Sequence, residues 1–130
     1  MTALPTTPHY VLDRAKETPD APAHLVKEAG QWVASTWGDY GRQVERAGLA
    51  LMEMGVGVGD TVCLLGFNRP AWVIFDVAAM AVGAAPAGIY TTCSAVEIQY
   101  IARHAGAKVV LVEDQDKLDK VASQASKLPN

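Results

Sequence analysis

Between residues 37 and 54 apolar side chains recur at alternating steps of three and four: Trp37, Tyr40, Val44, Ala47, Leu51 and Met54. That spacing puts all six on one face of a helix. Asp39, Arg42, Gln43, Glu45, Arg46 and Glu53 fall between them and belong to the wet side. Thr36 can cap the start, its hydroxyl accepting an orphan N–H of the first turn. Gly55 can supply the left-handed residue that ends the helix. Upstream, a short helix is predicted over residues 9–16, with Val11, Leu12 and Ala15 on one side, and residues 1–9 read as a frayed end. Thr18-Pro19-Asp20-Ala21-Pro22 stops that helix, because two prolines cannot continue it. Strands over residues 23–28 and 32–36, joined by Ala29-Gly30-Gln31, form a hairpin.

Downstream the pattern changes to strand and helix in alternation. Residues 61–66 read as a strand. Residues 70–82 read as a helix that is apolar nearly all round and therefore buried, with Asn68 as a candidate cap and Pro70 near the first helical position. Residues 84–89 form the next strand. Ser94 and Glu97 make a capping box for a helix that runs to His104 and ends at Gly106. The continuous apolar run Val109-Val110-Leu111-Val112, within a strand over residues 108–112, has the form of a strand buried on both faces of a parallel sheet. A more polar helix starts near Asp116 and fades at Pro129. Three strand–helix alternations specify an α/β fold: a partial parallel sheet with flanking helices, preceded by a short β-hairpin. The organisation expected is a tail and short helix over residues 1–20, then one partial subdomain over residues 21–130. The alternation stops after a strand–helix pair that could seed more sheet, so the fold reads as unfinished.

Length and composition narrow the class. One domain's worth of chain, 130 residues with half of them hydrophobic, can form a packed core. A net charge of -3 with scattered Lys and Arg leaves no nucleic-acid footprint and no polybasic membrane patch. Cys63 and Cys93 match no zinc or redox spacing, which fits a reduced, cytoplasmic compartment with room for peripheral membrane association. The N-terminal residues lack the basic and apolar regions of a secretory signal. Residues 72–90 are almost wholly apolar, yet Asp76, Gly83 and Pro86 fall where a membrane span tolerates them least, so a buried helix followed by a buried strand is the reading.

Candidate chemistry is sparse. Gly55, Gly57 and Gly59 leave a helix and enter a strand, the reverse of a phosphate-cradling loop, so they read as a cap and turn. Cys93 precedes a helix start but has no His in a nucleophile pattern, and Cys63 reads as an inert buried thiol. His9, His24 and His104 show no metal spacing, and His104 suits the C-terminal end of its helix. Asp76 stands on an apolar helix and calls for a structural partner, Arg69 or Arg103, since a lone buried carboxylate is costly.

The order of motifs is similar to that of the adenylate-forming superfamily. Ser35-Thr36-Trp37-Gly38-Asp39-Tyr40 resembles its first core motif, and Ala81-Val82-Gly83-Ala84-Ala85-Pro86-Ala87-Gly88-Ile89-Tyr90 resembles its second. Between and after them stand Gly55 to Val62, Asn68-Arg69-Pro70-Ala71-Trp72, Thr91-Thr92-Cys93-Ser94 with Glu97, and Gly106-Ala107-Lys108-Val109-Val110. The Asn-Arg-Pro-x-Trp and Gly-Ile-Tyr-x-Thr strings resemble the long-chain fatty acyl-CoA synthetases, including the bubblegum-like branch. The resemblance runs from about Ala21 to Val121 and implies an N-terminal fragment of that fold. It implies a ligase that couples a fatty acid to coenzyme A through an acyl-adenylate, with ATP, CoA and magnesium. The family's phosphate loop, magnesium and ribose acids and catalytic lysine find no matching string here. The resemblance therefore places no catalytic, cofactor-binding or metal-binding role on a numbered residue, and the chain by itself is expected to be inactive and to bind none of these cofactors. Its expected partners are the remainder of a split synthetase or a second copy, with the fatty acid bound only by the complete enzyme. Alternatives are a non-catalytic interaction domain and a small nucleotide binder at Gly55 to Gly59.

Overall fold

The computed structural model describes residues 5–128. Helix α1 (Thr7–Glu17) is followed by an antiparallel hairpin of β1 (Pro22–Glu28) and β2 (Gln31–Thr36), and then by α2 (Trp37–Glu53). After it come β3 (Thr61–Leu65), α3 (Pro70–Ala81), β4 (Ala85–Ile89), α4 (Ala95–His104), β5 (Ala107–Val112), α5 (Gln115–Ala122) and a 3₁₀ turn at Ala125–Lys127. Strands β3, β4 and β5 form a parallel sheet in the order β4-β3-β5. The α/β architecture expected from the alternation is the one observed.

The centre of the sheet is β3. Its residues Val62, Cys63, Leu64 and Leu65 are each at most 2% exposed. Side chains alternate across a strand, so the four divide between two cores. Val62 and Leu64 join Val44, Leu51, Ile74, Val77 and Ala78 under the layer of α1, α2 and α3. Cys63 and Leu65 join Ile89, Ile98, Ala102 and Ala107 under α4. The continuous apolar run of residues 109–112 suggested that β5 would hold this doubly buried position. Instead Val109 to Val112 are half-buried, because β5 lies at the edge of the sheet, with β3 as its one neighbouring strand among the described residues.

Helix α2 presents the face its periodicity predicts: Tyr40, Val44, Ala47 and Leu51 are buried, while Met54 lies beyond the helix and is exposed. Thr36 caps it, its hydroxyl oxygen accepting from the Asp39 N–H at 3.1 Å. Gly55, at φ +81°, ends it in the left-handed region. A hairpin of two strands is marginal by itself. This one is tied to α2 by the Trp37 N–H donating to Ala21 O and the Gly38 N–H to Pro19 O, both at 2.9 Å.

Several boundaries differ from expectation. Helix α1 begins at Thr7, two residues early, because Pro8 in a first turn needs no N–H partner. Residues 1–4 of the expected frayed end lie outside the described residues. The rest of α1 is part of the fold: Val11 is buried in the first core, and a Cβ on Gly41 would overlap the Cβ of Ala15. Close contact between α1 and α2 thus requires glycine at 41. Asn68 does not cap α3; Arg69 occupies that position, without a side-chain cap bond, and Pro70 is the first helical residue. The final helix starts at Gln115, one residue before the expected Asp116, with Asp114 as its cap, and stops at Ala122.

Helix α3 is not buried all round. Ile74, Val77, Ala78 and Ala79 are buried, but Val73 is 47% exposed. The sheet, α2 and α1 cover its buried sides and leave the Val73 side open. Asp76, half-buried, has no ionic partner among the described residues. The expected partner Arg69 is held by Glu113 instead. Burial pushes the Asp76 carboxyl up, and burial together with the Asp76 charge pushes the Tyr40 phenol up.

A carboxyl whose pKa is higher in the folded state binds its proton more tightly there. Its contribution to stability is fully present below the unfolded value, about 3.9, and is lost as pH rises through the folded value. The substitution Asp76→Asn should therefore raise the denaturation midpoint at neutral pH, and that gain should vanish below about pH 4. Urea melts of both proteins across this range check the expectation; an equal midpoint at pH 7 would contradict it.

Candidate functional site

From β3 the chain crosses to β4 on one side, then passes back over to β5 on the other. In open α/β sheets ligands bind outside the carboxyl ends of the strands, where the winding reverses. Here that point lies between β3 and β5. A cavity of about 220 Å³ opens there, lined by Leu64, Phe67, Trp72, Phe75, Leu111 and Glu113. A second, of about 450 Å³, lies towards β4 and is lined by Phe67, Asn68, Trp72, Gly88, Tyr90 and Thr91. Trp72 and Phe67 belong to both. The Trp72 ring rests over Gly88, where a Cβ would stand 3.1 Å from it. A third hollow of about 520 Å³ lies between β1 and the start of α3, lined among others by His24, Tyr40, Asn68 and Arg69.

The loop of residues 66–69 separates the first two cavities, and its polar partner is Glu113 at the end of β5. The Phe67 N–H donates to Glu113 Oε2 at 2.7 Å, and Arg69 Nε lies 2.6 Å from Oε1. Lys117, one helical turn on, stands 3.9 Å from Glu113 and 2.8 Å from Asp114. Its ammonium lies 4.9 Å from the Phe67 ring centroid, within cation–π range. Asp114 also accepts the Lys117 N–H at 3.0 Å, capping α5. The hydrogen bond between the two side chains pushes the Lys117 ammonium up and the Asp114 carboxyl down. Lys117 is 5% exposed and the Glu113 side chain 10%, whereas Arg69 and Asp114 reach into solvent, so the cluster has a covered inner pair and a wet outer rim.

The residues singled out in the sequence do not converge. The Gly55 to Gly59 stretch is a closed turn: Asp60 accepts the Gly57 N–H at 2.8 Å and pairs with Lys108 at 3.1 Å. Those bonds hold the Asp60 carboxyl below its usual range, and the N–H groups of Gly55, Val56, Gly59 and Asp60 are taken by backbone carbonyls. Burial pushes the Cys63 thiol up to about 11, which makes it inert at neutral pH. Cys93 is half-buried in the turn before α4. His9 folds back on Thr6 at 2.7 Å, His24 meets the Tyr40 ring edge-on, and His104 stacks on Tyr100. Among the described residues no three His, Cys, Asp or Glu side chains converge to hold a metal, and no helix is long and apolar enough to cross a membrane. Among the described residues neither a phosphate-cradling loop nor such a metal-holding cluster is present for a nucleotide with its magnesium. Glu113 and Lys117 were missed in the sequence. Their signal was an acidic pair directly after an apolar strand, with a lysine four residues on from the glutamate.

Comparison with known proteins supplies what the side chains do not. The model of the AMP-binding enzyme family matches residues 11–130. The long-chain-fatty-acid–CoA ligase ACSBG2 of Xenopus laevis is 32% identical over 97% of this chain, which spans only 17% of that ligase. The uncharacterized protein Rv1549 of Mycobacterium tuberculosis is shorter: 39% identity covers 88% of this chain and 65% of that protein. Among solved structures, a putative long-chain-fatty-acid CoA ligase from Rhodopseudomonas palustris superposes with a TM-score of 0.82 at 27% identity, over 95% of this chain and 30% of that one. Ordered motifs, fold and matched span agree, and the chain belongs to the AMP-binding enzyme family.

Proposed function

We propose that this chain is a scaffold portion of a fatty acyl-CoA ligase of the adenylate-forming type, building one wall of a ligand crevice and catalysing nothing by itself. One observation carries the reading: almost the whole chain matches a ligase of which it spans only 17%. The complete ligase would join a fatty acid to ATP, release pyrophosphate, and pass the acyl group to coenzyme A, with magnesium on the phosphates. The described residues hold none of the groups that such chemistry needs at the phosphates, so no step of it is assigned to them. Their contribution is positional: a sheet whose carboxyl end carries Phe67 and Trp72 around two hollows, with Tyr90 on the rim of the one towards β4. A cytoplasmic location, with contact to membranes through a fatty substrate, belongs to the same reading. The purified chain, given ATP, magnesium and palmitate, should release no pyrophosphate above a protein-free control. Sustained acyl-adenylate formation would overturn the proposal.

A second reading, a non-catalytic assembly domain, is favoured by the outer edge of β5. The strand Ala107–Val112 contains neither proline nor glycine and pairs on one side only, whereas the opposite edge, β4, is blunted by Pro86 and Gly88. The relative Rv1549, of which this chain spans 65%, supports short versions of the scaffold. On this reading light scattering should give a mass that rises from monomer to dimer with concentration, and Val110→Lys should abolish the rise. A monomer at every concentration would exclude self-association.

A further inference from the structure

We infer that Glu113 is a positioning residue for the crevice: it holds the loop of residues 66–69 in place and thereby sets the wall shared by the two cavities. The inference concerns the crevice itself and stands whether or not the chain catalyses.

Four observations converge on it. First, Glu113 reaches across 46 residues of sequence to bond the loop at two points, the Phe67 N–H and Arg69 Nε. A carboxylate has two oxygens, and here each takes one of these donors. Second, the backbone makes room for it. A Cβ at Gly66 would stand 3.2 Å from Glu113 Cβ and 3.3 Å from its Oε2, so the glutamate lies over a residue with no side chain. Third, the Glu113 side chain is only 10% exposed and is backed by Lys117 at 7%. Arg69 and Asp114 remain exposed on the outer side, where ion pairs add little stability; here the cluster ties a loop to one geometry. Fourth, Phe67 and Trp72, which flank the Arg69 anchor, line both cavities. Displacing the loop changes both at once. The Glu113 N–H also donates to Leu65 O at 3.2 Å. The glutamate is thus fixed by the sheet before its side chain meets the loop.

The arrangement divides the work among its donors. The Phe67 bond holds the backbone of the loop. The Arg69 bond holds the start of α3, one turn before Trp72. Lys117 covers the Phe67 ring and partly neutralises Glu113. Each contact can be removed singly, which separates positioning of the loop from general stability.

The test uses the full chain with Trp32→Phe and Trp37→Phe, leaving Trp72 as the single reporter. Two readouts are taken on Glu113→Ala, Glu113→Gln, Arg69→Met and Lys117→Met: hydrogen exchange of the Phe67 amide, and quenching of Trp72 fluorescence by acrylamide. In Glu113→Ala the Phe67 amide should exchange roughly tenfold faster or more, as expected for a lost bond to a charged acceptor. Trp72 quenching should rise, while the amides of β1 and β2 keep their rates. Glu113→Gln, which retains an acceptor oxygen, should keep most of the Phe67 protection yet show raised Trp72 quenching. Unchanged Phe67 exchange in Glu113→Ala, or equal acceleration of every amide in the sheet, would overturn the inference. Should Glu113→Ala not fold, Arg69→Met and Lys117→Met decide. Raised Trp72 quenching with Phe67 protection kept in Arg69→Met supports positioning, and wild-type quenching in both contradicts it.

Discussion

A strand that buries both faces has no side chain to spare for solvent, so it must find apolar partners above and below. In β3 that demand falls on four consecutive residues, Val62, Cys63, Leu64 and Leu65. Each full burial of a Val or Leu is worth about 1.5–3 kcal/mol, and each also constrains the layer it meets. Helices α1, α2 and α3 gather over Val62 and Leu64, and α4 settles on Cys63 and Leu65. The flanking strands complete the backbone bonds on either side. The hairpin, which shares little of this core, depends on its ties to α2.

The same strand decides where polar groups can gather. Apolar packing stops at Leu65, and Gly66 lets Glu113 cross over the end of β3. There the molecule accepts a largely covered pair, Glu113 and Lys117, with Arg69 and Asp114 facing water; the covered pair is costly unless its partners are met. No buried side-chain N or O atom among the described residues lacks a partner. The hollows at the carboxyl end of the sheet therefore have a hydrogen-bonded rim on the β5 side, while Tyr90, towards β4, remains largely exposed. Membership of the AMP-binding enzyme family fits a parallel sheet with hollows at its carboxyl end.

Local signals in the sequence were read well because local physics produces them. The face of α2, its Thr36 cap, the Ser94–Glu97 box and the strand–helix alternation all depend on neighbours within a turn or two. One local signal failed, since Arg69 and not Asn68 stands at the cap of α3; the larger misreadings arose where a distant partner decides. The apolar run in β5 looked like a central strand, yet strand order is set by crossovers that periodicity does not encode. Asp76 looked like half of an ion pair, but Arg69 is engaged by a glutamate 44 residues further on. The contribution of α1 hinges on Gly41 meeting Ala15, a contact that no helical pattern announces. The family came from motif order, and the site cluster at Glu113 came only from the fold.

The central claim is that β3 is the spine on which both cores depend. Native-state hydrogen exchange reads this directly, since amides released only by global unfolding are the slowest. The amides of Val62 to Leu65 should be the most protected in the molecule and should share a single opening free energy equal to that of unfolding. Protection in β3 no greater than in the β1–β2 hairpin would contradict the account.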